Sequence, residues 1–100
     1  MARDAIHPGE FLADEIEEIG ITATELSRQI DVPPNRISQI IRGKRDLTAD
    51  TALRLGKFFG TGAEFWINLQ KAYELDRART LLNTKLNQIQ SWESVVRKTG

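Results

Sequence analysis

The 100-residue chain has no cysteine and a single histidine. Without cysteine there is no disulfide, no thiolate metal site and no cysteine nucleophile. His7 has no second histidine with which to form a metal pair. Its place beside Pro8, just ahead of the first apolar segment, reads as a surface or helix-capping role. No apolar run approaches the roughly 20 residues that span a bilayer. The opening Met1-Ala2-Arg3-Asp4-Ala5 lacks the apolar stretch of a signal peptide, so the expected location is the cytoplasm. A glycine-rich phosphate loop and a nucleophile–base pair are also missing. No catalytic residue, cofactor site or metal site is therefore expected, and an enzyme is the least supported class of function.

A net charge is lacking too: 14 basic residues balance 14 acidic ones. The distribution is uneven. Residues 1–21 carry one basic and six acidic side chains, residues 22–59 seven and four, and residues 60–100 six and four. An acidic leading segment beside a basic middle makes a dipolar surface, and a polyanion responds to the local field. With 40% hydrophobic and 28% charged residues, the remainder is ordinary for one globular domain with one core.

What is present is helical periodicity. Runs alternating apolar with polar residues, the mark of strands, are not found. The spacing predicts an all-α fold of five helices. The first runs from Pro8 to Ile19, with proline suited to its first turn, Leu12, Ile16 and Ile19 buried, and Gly20 as its stop. A second runs from Ala23 to Ile30. Thr22 and Glu25 form a capping-box pattern ahead of it, and Ala23, Leu26 and Ile30 line its apolar side. The third runs from Pro34 to Arg42 with Ile37, Ile40 and Ile41 inward. The fourth runs from Ala49 to Phe59 behind a Thr48 cap. The fifth starts after Thr61, which with Glu64 repeats the capping-box pattern, and reaches Leu82 or beyond. Residues 1–80 are expected to form the folded domain. Residues 81–100 form an extension, helical or partly disordered, in which Trp92, Val95 and Val96 make a short amphipathic turn or stay mobile.

Two short helices joined tightly, as the second and third are, make a helix-turn-helix layout. The spacing within it is more specific. Ser27 is small where the helices cross. Asp31 stands where glycine is usual and tolerates a left-handed backbone better than most residues. Val32 plugs the turn, and Ile37 and Ile40 anchor the second helix. The outward residues of the third helix then suit a major groove. Asn35 and Gln39 match adenine edges, Ser38 either purine or pyrimidine edges, and Arg42 guanine, with Pro34 giving shape contact. Candidate phosphate contacts are Arg28, Arg36, Lys44, Arg45 and Thr48, which position the protein without reading sequence.

Such proteins commonly bind as dimers across paired half-sites. Phe65 and Leu69 are expected in the core. Trp66 and Tyr73 are open between core and surface. They are grouped with Leu75, Leu82 and Leu86 as the candidate dimer or partner surface, because Leu75, Leu82, Leu86 and Ile89 have near-heptad spacing and no partner among the first four helices. A pure protein-interaction module, which the neutral net charge would suit, is the rival class.

The runs His7-Pro8-Gly9-Glu10, Gly43-Lys44-Arg45 with LTADTALRL over residues 47–55, and Phe59-Gly60-Thr61 with EFWINLQ over residues 64–70 are similar to those of the HigA antitoxin family, also called VapI-like, among the XRE helix-turn-helix proteins. The resemblance covers about residues 6–78. It implies a five-helix lambda-repressor-like fold, a homodimer, and repression of the protein's own toxin–antitoxin operon from the nucleoid of a prokaryote. It further implies neutralisation of a HigB-type toxin, a ribonuclease that cleaves mRNA. By the same resemblance, the groove-reading positions are Pro34, Asn35, Ser38, Gln39 and Arg42. Some proteins with these motifs are orphan regulators without a toxin.

Overall fold

The computed structural model describes residues 5–99; the ends of the two expected segments, residues 1–4 and 100, lie outside it. The described residues form six helices: α1 (Pro8–Ile19), α2 (Ala23–Gln29), α3 (Arg36–Ile41), α4 (Ala49–Phe59), α5 (Ala63–Asn87) and α6 (Trp92–Thr99). No strand occurs among them.

Local chemistry accounts for most of the helix ends. His7 caps α1 through its side chain, and Gly20 closes that helix at φ 80°. Thr22 accepts the N–H of Glu25 at 3.0 Å, and Thr48 accepts that of Thr51 at 3.4 Å. The start of α5 departs from its predicted cap. Gly62 is the N-cap, at φ 85° and with no side-chain bond. The hydroxyl of Thr61 instead accepts the indole N–H of Trp66 at 2.9 Å. Tertiary demand took the hydroxyl, and glycine supplied the backbone freedom. Helix α3 is shorter than its predicted span: Pro34 lies in the turn and Asn35 is the N-cap, without a side-chain capping bond.

The core joins Leu12, Ile16, Leu26, Ile30, Ile37, Ile40, Leu47, Ala52, Leu55 and Trp66. Trp66 is fully buried, so it is a core residue of its own chain and does not belong to the partner surface. Phe11, Phe59 and Phe65 pack around it with ring centroids 5.3–5.6 Å away. Ile19, expected in the buried stripe of α1, is 49% exposed, because it lies in the last turn beyond the reach of the neighbouring helices. Ile41 is only half-buried, and Phe65 keeps part of its ring in solvent.

One contact draws α1 onto the rest of the helix-turn-helix. A Cβ at Gly9 would fall 2.1 Å from the carbonyl oxygen of Ile40. Only a residue without a side chain lets the start of α1 press against the end of α3. The fully buried residues end at Gln70. Helix α5 continues unbroken for another 17 residues past the core, so the molecule measures 62 Å along its long axis against 24 and 23 Å across. Position 80 falls within this helix. No helix of the described residues is long and apolar enough to cross a membrane.

Candidate nucleic-acid interface

The interface begins with how α2 and α3 are locked. Ser27 is fully buried at their crossing, and its Oγ accepts the N–H of Ile37 at 3.3 Å. That N–H is one of the donors a helix start leaves without an intrahelical partner. The carbonyl of Ser27 also accepts the N–H of Val32 at 3.0 Å. Between them Asp31 takes φ 59°, the one positive φ outside glycine among the described residues. A short polar side chain tolerates this region, which most L-residues avoid.

Arg54 completes the lock from α4. Its Nη1 donates to the carbonyls of Ile30 at 2.9 Å and Asp31 at 3.1 Å, while its Nε bonds Asp50 at 2.7 Å. It thereby satisfies carbonyls at the end of α2 and fixes the turn from outside. Sequence reasoning missed this residue. Its one local signal was Asp50 four positions earlier, a spacing that suggests only a helix-surface pair. Gln70 was missed as well. It is almost wholly buried, accepting the N–H of Leu47 at 2.9 Å and donating to Glu74 at 2.9 Å. It ties the loop after α3 to α5.

On this frame the structure brings the predicted base-reading residues together. Asn35, Ser38, Gln39 and Arg42 follow one another at helical spacing on one face of α3, with Asn35 and Arg42 exposed and Ser38 and Gln39 half-exposed. Their side chains are already organised. The hydroxyl of Ser38 donates to the carbonyl of Asn35 at 3.0 Å, and Arg42 donates to the carbonyl and hydroxyl of Ser38 at 3.3 and 3.4 Å. Arg45 donates from Nε to Oε1 of Gln39 at 3.0 Å, bringing a charge beside the middle of this face. Pro34 lies exposed in the turn just ahead of the helix.

The predicted phosphate contacts are more scattered. Arg28 is bound by two bonds to Glu25, through Nε at 3.0 Å and Nη2 at 2.5 Å. That pair lowers the pKa of Glu25 through its hydrogen bonds to Arg28 and then Gln29, and raises that of Arg28. The side chains of Arg36 and Lys44 make no hydrogen bond or ion pair within the described residues. Thr48 sits at the N-terminus of α4 with its hydroxyl engaged in capping.

Of the expected partner surface, Leu75, Leu82 and Leu86 are 53%, 40% and 45% exposed along the projecting part of α5, followed by Ile89 at 71%. Tyr73 is half-buried, with its ring edge-on to His7 at 4.8 Å. His7 is a cap rather than a surface group: Nδ1 accepts the N–H of Gly9 at 2.9 Å inside the fold.

A buried serine at a tight crossing, a left-handed turn residue and an outward polar helix define a helix-turn-helix protein. The HTH_3 helix-turn-helix family matches residues 12–66. Over 75 residues the chain is 48% identical to virulence-associated protein I of Dichelobacter nodosus, covering 74% of this chain and 69% of the relative. Over 74 residues it is 38% identical to antitoxin HigA-1 of Vibrio cholerae, covering 73% and 70%. Among solved structures, an addiction module antidote protein of the HigA family from Coxiella burnetii superposes with a TM-score of 0.85 at 43% identity, covering 89% of this chain and 98% of the other. The Pseudomonas aeruginosa antitoxin HigA, solved with the higBA promoter, superposes with a TM-score of 0.82 at 37% identity, covering 88% and 97%. The chain belongs to the HTH_3 helix-turn-helix family and, within it, to the HigA antitoxins.

Proposed function

We propose that this protein is a sequence-specific DNA-binding repressor of its own operon and the antitoxin of an mRNA-cleaving HigB-type toxin, working as a homodimer in a prokaryotic cytoplasm without catalysing a reaction. The observation that carries the DNA reading is the face of α3. Asn35, Ser38, Gln39 and Arg42 converge there on a helix held rigidly by Ser27 and Arg54. In this reading they contact base edges, with Pro34 fitting the groove wall. Arg28, Arg36, Lys44, Arg45 and the N-terminus of α4 at Thr48 hold phosphates. Support for the double role comes from the HigA relative seated on the higBA promoter. The exposed leucines of α5 supply the surface on which a second copy would pair, setting two recognition helices one DNA turn apart. Residues 1–80 are assigned to DNA binding and residues 81–100 to an extension of the pairing helix.

The test is a salt series of binding to the promoter upstream of this protein's gene. Affinity is expected to fall steeply with salt, because neutralised phosphates release counterions. Gln39→Ala is expected to relax preference at one base position. Lys44→Ala should weaken all sequences alike and reduce the salt slope by about 1. A Gln39→Ala, Arg42→Ala double variant that held the operator as tightly as the parent would remove the groove assignment.

A further inference from the structure

Helix α1 has a property that neither folding nor DNA binding explains. It carries Glu10, Asp14, Glu15, Glu17 and Glu18, and not one lysine or arginine. None of these carboxylates has a salt bridge among the described residues. Glu10, Asp14 and Glu17 follow at helical spacing on one face, where like charges repel. Glu17 and Glu18 occupy the last turn, the end of the helix at which its dipole disfavours anions. Apart from Glu10, which the dipole favours in the first turn, the arrangement works against the stability of α1, and it would repel a DNA backbone.

Beside this acidic face lies an apolar groove of about 190 Å³. Ile6, Phe11 and Leu69 form its floor, and Glu10 and Asp14 stand at its rim. Ile6 is 49% exposed, and both rim carboxylates are exposed. We propose that this groove between α1 and α5 is the docking site for the toxin. It would receive a segment in which lysines or arginines flank a bulky aliphatic or aromatic side chain. The proposal rests on the antitoxin reading above and names the surface through which it acts.

Charge complementarity carries the choice of occupant. A ribonuclease must hold RNA phosphates with basic side chains. An antitoxin surface that offers carboxylates in place of those phosphates competes for the same basic surface, so docking and inhibition become one event. The larger groove of about 450 Å³ between α2 and α4 is less suited to such a partner. It exposes Leu53 and Phe58, but Arg54 and Lys57 line it. The basic residues on and after α3 remain free for DNA when α1 is occupied, so one chain can hold toxin and operator together.

The experiment is calorimetric titration of the full chain with an inactivated form of the product of the neighbouring toxin gene. Glu10→Lys with Asp14→Lys is expected to weaken toxin binding by about tenfold or more. Operator affinity should not fall, and the melting curve should stay close to that of the parent. Leu53→Glu, in the other groove, should leave toxin binding unchanged. The proposal is overturned if the Glu10→Lys, Asp14→Lys variant binds toxin as tightly as the parent, or if Leu53→Glu alone abolishes binding. A parent chain that fails to bind the product at all would instead remove the antitoxin reading, and this docking site with it.

Discussion

The Oγ of Ser27 accepts the backbone N–H of Ile37 at 3.3 Å across ten residues of sequence, inside a crossing with no solvent access at Ser27. One hydroxyl thus satisfies an orphan donor at the start of the recognition helix and leaves room for the two helices to touch. Ser27→Ala keeps the volume small but strips that N–H of its acceptor, and is expected to cost about 1–3 kcal/mol. Ser27→Leu adds overpacking of a further 1–3 kcal/mol or so. Urea denaturation of the three chains measures both steps. Equal stabilities of Ser27→Ala and the parent would show that the bond contributes nothing.

Asp31 holds the turn at φ 59° without glycine. Asp31→Gly relieves a left-handed conformation costing roughly 1–2 kcal/mol for an ordinary side chain and less for aspartate. It also adds about 0.5–1 kcal/mol of backbone entropy to be lost on folding. A net change within about 1 kcal/mol is expected. Asp31→Val, β-branched at positive φ, should be destabilised by at least about 1 kcal/mol. Thermal melts rank the three, and a valine variant as stable as the glycine one would show that the turn adapts.

Gln70 is the buried polar link between α5 and Leu47. Gln70→Leu matches its size but leaves the N–H of Leu47 without an acceptor, at a cost of about 1–3 kcal/mol. Because Leu47 closes the loop that joins α3 to α4, hydrogen exchange at Gly43 to Leu47 should quicken more than exchange in α1. Uniform quickening would mean that the bond has only a global effect.

The Glu25–Arg28 pair makes a prediction about pH. The pKa of Glu25 lies below its unfolded value because Arg28 donates to its carboxylate. The pair's stabilisation is therefore present above the unfolded carboxylate pKa and is lost as pH falls through the lower folded one. Glu25→Gln removes the anion beside Arg28, a proposed phosphate contact. It is expected to tighten operator binding severalfold at neutral pH. That advantage should shrink in acid, once the parent's own Glu25 is protonated. Anisotropy titrations at neutral and acidic pH decide it, and weaker binding by the variant at neutral pH would show that the pair is needed intact.

The local features were legible from the residues alone. Helix positions followed from apolar spacing, and Thr22, Thr48 and Gly20 marked ends whose chemistry lies within a turn of the chain. Ser27, Asp31, Val32, Ile37 and Ile40 announced the helix-turn-helix because its geometry constrains residues only a few positions apart. Other features depended on partners far away in sequence. Arg54 reads as half of a surface pair until the fold sets it against carbonyls 23 and 24 positions back. Gln70 reads as a polar helix residue until Leu47 arrives beside it.

What the chain determined by itself was its first five helices and the polar face of α3, since periodicity and caps are properties of neighbours; the sixth, α6, stood open between a short helical turn and a mobile tail. Only tertiary structure decided that Trp66 belongs to the interior, that Thr61 serves its indole rather than a helix start, and that Gly9 must lack a side chain beneath Ile40. The physical reason is that burial and close approach depend on which surfaces meet. An amphipathic pattern says that a face will be covered without saying by what.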